Sequence, residues 1–127
     1  MANYTNENFP KLSEAEREIM NIVWPAQQPL TSNYIWENLT SRTWALSTVM
    51  SVLAKLCEKG FIYCDRSTRT NYYTAVTPKE EYLRRESRHF LKNMHQDSIA
   101  SMVTALHNSG EITEEEIEKL RHILDGR

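Results

Sequence analysis

Glycine and cysteine are scarce in this chain of 127 residues. Three glycines leave no Gly-rich loop of the kind that cradles phosphates. Two cysteines, Cys57 and Cys64, make no disulfide framework. Cys57 sits beside an apolar stripe and reads as a small core filler. No apolar run approaches the roughly 20 residues of a membrane-spanning helix, so no membrane insertion is expected. The opening string Met-Ala-Asn-Tyr-Thr-Asn-Glu-Asn lacks the basic and apolar regions of a signal peptide. A reducing, cytoplasmic location is therefore expected. No Ser/His/Asp grouping and no paired-carboxylate string appears, so an enzyme is not expected. His89, His95, His107 and His122 never stand at the i, i+4 spacing that pairs two imidazoles on a helix. They read as surface histidines, with no metal and no cofactor. A large excess of one charge is also lacking, the net charge being -2. In residues 1–78 the cations (Lys11, Arg17, Arg42, Lys55, Lys59, Arg66, Arg69) match the acids (Glu7, Glu14, Glu16, Glu18, Glu37, Glu58, Asp65) one for one. The cations lie mostly late and the acids mostly early. That asymmetry is compatible with a local basic face, which is what nucleic-acid binding needs.

The most informative stretch runs from Trp44 to Ile62. Val49, Val52, Leu53 and Leu56 fall at i, i+3, i+4, i+7, one face of a helix. The opposite face carries Ser47, Thr48, Ser51, Lys55 and Glu58. Lys59-Gly60 stops the helix, since glycine accepts the left-handed conformation that helix ends use. A short helix with a small, hydroxyl-rich face fits a DNA major groove. The stretch reads as the recognition helix of a winged helix-turn-helix.

The flanking segments complete that plan. Ser13 and Glu16 form a capping box, followed by Ala15, Ile19, Ile22 and Val23 on one face. Trp24-Pro25 ends this helix, and Gln27-Gln28-Pro29 reads as a turn. Thr31 or Ser32 caps a second helix with Ile35 and Leu39 inward and Tyr34 and Trp36 flanking. Phe61–Cys64 and Asn71–Val76 are rich in β-branched and aromatic residues and read as a hairpin. Its polar tip carries Arg66 and Arg69, placed to touch phosphates or a minor groove. Beyond Pro78 come three amphipathic stretches. A long charged helix carries Tyr82, Leu83, Phe90, Leu91 and Met94. A second, capped by Asp97 or Ser98, carries Ile99, Met102, Val103 and Leu106. A third, opened by a capping box at Thr113, carries Ile117, Leu120, Ile123 and Leu124. These have too little apolar area for a core of their own, and a stripe without a partner in its chain implies one in another chain. The expected fold is mainly α with a small β-hairpin. It comprises a flexible N-terminus (1–10), a winged-helix domain (11–77) and a helical dimerisation and regulatory region (78–127).

Several strings, in order over roughly residues 12 to 124, resemble the penicillinase and methicillin-resistance repressors, a family that also includes copper-responsive repressors. Ser-Glu-Ala-Glu-Arg-Glu-Ile-Met-Asn-Ile-Val-Trp is similar to the family's opening string, with Arg17 where the family usually has tryptophan. Trp44, Ser47, Thr48, Val49, Leu53, Lys55, Leu56, Lys59 and Gly60 match its recognition helix, and Asn71-Tyr72-Tyr73 its aromatic strand. Phe90-Leu91 and the string from Glu115 to Leu124 look like its dimerisation helices. The resemblance implies a homodimeric repressor on a two-fold symmetric, double-stranded DNA operator. In the β-lactam branch it further implies release when a membrane sensor protease triggers cleavage in the tail. The matching bond lies near Ala105-Leu106, although the family's Asn-Phe pair is not present. The copper branch uses a Cys-x-Cys cluster near the C-terminus, and no cysteine follows Cys64 here.

The expected DNA contacts are Arg42, Ser47, Thr48, Met50, Ser51, Lys55, Arg66 and Arg69. By alignment with the family, Thr48 and Ser51 approach base edges or phosphates and Lys55 a phosphate. Met50 either touches a thymine methyl or covers the helix. The expected dimerisation residues are Tyr82, Phe90, Leu91, Met94, Ile99, Met102, Val103, Leu106, Ile117, Leu120, Ile123 and Leu124. Two alternatives stay open: a copper-type repressor without the tail metal site, and a winged-helix adaptor that docks a protein.

Overall fold

A computed structural model describes residues 10–40 and 43–126. The expected contact Arg42, and residues 1–9, lie outside them. The order of elements is α1 (Glu14–Val23), α2 (Ser32–Glu37), α3 (Leu46–Glu58), β1 (Ile62–Asp65), β2 (Tyr72–Ala75), α4 (Lys79–His95), α5 (Ile99–Asn108) and α6 (Glu114–Leu124).

The α1 capping box closes as expected. The Ser13 N–H donates to Glu16 Oε1 at 2.7 Å, and the Glu16 N–H donates to Ser13 Oγ at 3.2 Å. Glu16 does more than cap. It is buried, and its Oε1 also accepts from Lys59 Nζ at 2.7 Å. The same ammonium donates to the Lys11 carbonyl at 2.9 Å. Burial pushes the Glu16 carboxyl up, but the Lys59 hydrogen bond, the Ser13 N–H and the Lys59 charge outweigh it, so the net displacement is downward.

Helix α3 ends as Lys59-Gly60 predicts. Gly60 has φ +85°, its N–H donates to the Cys57 carbonyl, and Phe61 N–H reaches back to the Leu56 carbonyl at 3.0 Å. This is a Schellman turn, with Phe61 and Leu56 both buried beside it. The chain then enters the hairpin, in which Ile62 pairs with Ala75 and Asp65 with Tyr72. Leu30 exchanges two backbone hydrogen bonds with Tyr73, at 2.9 and 2.7 Å, and adds a one-residue third strand. The turn expected over residues 27–29 thus leads into this bridge before α2 begins. A single bridged residue has no periodicity to reveal it.

The core holds Ile19, Met20 and Val23 of α1, Ile35 of α2, Val49, Leu53 and Leu56 of α3, and Phe61, Ile62 and Tyr73 of the hairpin. Tyr82 joins them, which corrects its assignment to a dimer surface. It lies 5.5 Å from Phe61, edge to face, and 6.0 Å from Trp24, and its hydroxyl accepts the Leu12 N–H at 3.1 Å. The apolar period of α4 placed Tyr82 on a stripe but could not say that the stripe's first turn belongs to this core. Trp24 Nε1 donates to the Thr77 carbonyl at 2.9 Å and fixes the approach to α4.

Contacts divide the chain after Glu86, inside α4, rather than at Pro78. In the second unit α5 and α6 contain no buried residue. Ser98 caps α5 and Thr113 caps α6.

Tyr82→Phe removes the acceptor of a buried N–H and is expected to cost about 1–2 kcal/mol. Tyr82→Ala is expected to cost about 3–5 kcal/mol. Urea denaturation followed by circular dichroism checks both, and an unshifted midpoint for Tyr82→Ala would exclude it from the core. Glu16, with its carboxyl held below the ordinary value of 4.5, contributes stability that is complete above that pH. The contribution is lost as pH falls through the lower folded-state value. Glu16→Gln is expected to be less stable at pH 7 and to lose less stability than wild type on acidification. Equal acid sensitivity of the two proteins would refute the role.

Candidate nucleic-acid interface

Helix α3 is held by its inner face and leaves its outer face free. Val49, Leu53 and Leu56 are fully buried. Ser47, Thr48, Met50, Ser51, Ala54, Lys55 and Glu58 are exposed. One helix therefore carries the expected contacts Ser47, Thr48, Met50, Ser51 and Lys55 on a single solvent-facing surface. Its entry is braced by Trp36, whose Nε1 donates to the Trp44 carbonyl at 2.7 Å. From the sequence Trp36 is expected only to flank the inward face of α2. Its indole N–H needed a partner, but only the fold names Trp44.

The hairpin tip carries Arg66 and Arg69, both exposed. Asp65 Oδ1 accepts the Ser67 N–H at 2.9 Å, and Thr68 Oγ1 donates to the Thr70 carbonyl at 2.8 Å. The hydrogen bonds from Ser67, side chain first and then backbone, hold the Asp65 carboxyl below the usual carboxylate range. Such side-chain-to-backbone bonds order a tight tip without using its arginines. Among the described residues, Lys55, Arg66 and Arg69 take part in no ion pair. Their charges stay available to a polyanion. By contrast Lys59, which continues the same helix, is consumed by Glu16.

Cys57 and Cys64 are both half-buried. Burial first, and then the neighbouring Cys64, push the Cys57 thiol up, against a smaller opposing pull from Arg66. The thiol therefore stays protonated near neutrality, as suits packing rather than chemistry. Among the described residues no group of three His, Cys, Asp or Glu side chains stands ready for a metal.

In the tail, Phe90, Met94, Ile99, Leu106, Leu120, Ile123 and Leu124 are exposed, and Leu91, Met102, Val103 and Ile117 are half-buried. Ala105 and Leu106 are exposed inside α5. No helix among the described residues is long and apolar enough to cross a membrane.

Known proteins resemble the whole arrangement. A penicillinase repressor of Bacillus licheniformis is 28% identical over 119 residues, 94% of this chain and 93% of that protein. The methicillin resistance regulatory protein MecI of Mammaliicoccus sciuri is 27% identical over 115 residues, 91% of this chain and 94% of the relative. The solution structure of the DNA-binding domain of the repressor BlaI matches with a TM-score of 0.50 and 25% identity. That match covers 59% of this chain and 92% of that domain. The family model described as penicillinase repressor matches residues 12–126, and this chain belongs to that family.

Proposed function

We propose that this protein is a DNA-binding transcriptional repressor that acts as a homodimer on a two-fold symmetric operator. The observation that carries the reading is the exposed face of α3, together with the exposed cations of the hairpin tip, in a head that matches a repressor's DNA-binding domain. Ser47, Thr48, Met50 and Ser51 face base edges, Lys55 a phosphate, and Arg66 and Arg69 the backbone or minor groove of the flanking duplex. Arg42, which precedes α3 in the sequence and lies outside the described residues, is assigned a contact with the DNA backbone. The exposed apolar faces of α4 beyond Glu86, of α5 and of α6 support dimerisation through the tail, by Phe90, Leu91, Met94, Ile99, Met102, Val103, Leu106, Ile117, Leu120, Ile123 and Leu124.

Control by the tail follows from magnitudes. One head makes few phosphate contacts, and non-specific binding at physiological salt is on the order of micromolar or weaker. Joining two heads raises the effective concentration of the second, for a gain of about a hundredfold or more. An event that parts the tails, such as cleavage prompted by a sensor protease, then frees the operator without touching α3. The Ala105–Leu106 bond lies within the helical turns of α5, so a protease would act on a locally opened helix. With no cysteine after Cys64, a copper-type tail sensor is the less supported alternative.

Selection of bound fragments from random duplex DNA tests the reading and delivers the operator. Lys55→Ala and Arg69→Ala are each expected to lower the slope of log affinity against log salt by about 0.9, with the fold intact. If both bound like wild type, the assigned reading face would be wrong. Leu120→Glu with Ile123→Glu is expected to give a monomer whose operator affinity falls about a hundredfold or more. Sedimentation and fluorescence anisotropy read the two effects. A dimer of undiminished affinity would rule out the tail interface. The matched charges of residues 1–78 favour one other reading, an adaptor that docks a protein, and this predicts no salt-dependent binding to duplex DNA.

A further inference from the structure

The exposed face of α3 is chemically divided. Val49 marks the buried centre, and successive residues step 100° around the axis. Thr48 and Lys55 therefore fall on one flank of the exposed face, Ser51 and Glu58 along its middle, and Met50 and Ala54 on the other flank. Met50 is the only large apolar residue of α3 exposed to this degree, at 46%. Its neighbours one turn away toward the solvent side are Ser47 and Ala54, both exposed and both short, while Leu46 and Leu53 lie one turn away on its core side. Met50 is therefore the bulkiest side chain on the solvent side of that flank, and Ala54 continues the apolar strip. Hydroxyls, the Lys55 ammonium and, near the C-terminal end, the Glu58 carboxylate occupy the rest of the face.

Resting on the DNA-binding reading above, we propose that Met50 is a specificity-determining residue that recognises the 5-methyl group of a thymine in the major groove. Three features support it. An apolar side chain left in water on a face otherwise made for hydrogen bonds gains by covering apolar surface in the bound state. The thymine methyl is the one apolar group that a base pair presents in the major groove, and side chains of this size contact it there. The unbranched, flexible methionine chain has three rotatable bonds, so it adapts to the methyl without demanding one backbone approach. The hydroxyl and ammonium flank leaves the hydrogen-bonding edges to other residues, so the two halves of the face read different properties of the same sequence.

The test removes one methyl at a time. Duplexes recovered by selection are remade with each thymine replaced singly by deoxyuridine, which differs only in that methyl. Affinities for the full chain and for Met50→Ala are measured by fluorescence anisotropy. Wild type is expected to lose about three- to fivefold at one thymine position, from the apolar area of one methyl. Met50→Ala is expected to lose nothing further there, so the two changes are coupled rather than additive. Met50→Gln, of similar length but polar, is expected to lose the same methyl preference. If every deoxyuridine duplex bound wild type and Met50→Ala with the same ratio, the assignment to Met50 would be overturned while the DNA-binding reading stood. If no duplex were retained at all, that reading would fail and this inference with it.

Discussion

Glu16 is a carboxylate largely removed from water, and it keeps its charge because donors converge on it. The Ser13 N–H and the Lys59 ammonium each reach the same oxygen at 2.7 Å. Lys59 is in turn bound to the Lys11 carbonyl. The pair joins the first turn of α1 to the cap of α3. Removing one partner from a buried pair leaves the other charge uncompensated, which costs more than never having made the pair. From Lys59 the chain passes through the Schellman turn into β1, and from Lys11 it passes to Leu12, whose N–H is bound to Tyr82. The end of α3, the root of the hairpin and the start of α4 are thus referred to one ion pair. A shift of α3 would break it, so the outward face of α3 is held at a defined height above the core.

How much of this was legible in the sequence depends on how far each interaction reaches. The Ser13–Glu16 box spans three residues, and Gly60 acts on its own helix, so both were readable. The inward face of α3 followed from its period, and with it the outward face that forms the candidate site. The arginines at the hairpin tip followed from their place between two aromatic strands. Lys59 was read only as part of a helix stop. Its second role depends on Glu16, 43 residues away, and no local pattern announces such a pairing. Tyr82, expected at a dimer surface, and Leu30, for which no role was expected, share that reason. Each completes a core or a sheet built by residues far along the chain. Arg42 lies outside the described residues.

The two units are stabilised by different means. The head buries a contiguous set of aliphatic and aromatic side chains. Helices of 10 and 11 residues, as α5 and α6 are, are marginal in water when isolated. Their caps, Ser98 and Thr113, each contribute about 1 kcal/mol. The rest of their stability comes from whatever covers their apolar faces. Any partner that does so stabilises the folded tail by mass action, so tail order and tail association are linked quantities.

The clustering of Trp24, Phe61 and Tyr82 in the head is part of an uneven distribution of rings with a spectroscopic consequence. All three tryptophans, Trp24, Trp36 and Trp44, and every tyrosine lie at or before residue 82. Beyond Glu86 the sole aromatic ring apart from histidine is Phe90. Intrinsic fluorescence of this protein therefore reports the head alone, whereas far-ultraviolet dichroism is weighted by the helices of both units. Melting curves from the two signals coincide only if the units unfold together. The uneven distribution of rings makes the chain its own label for one half of its structure.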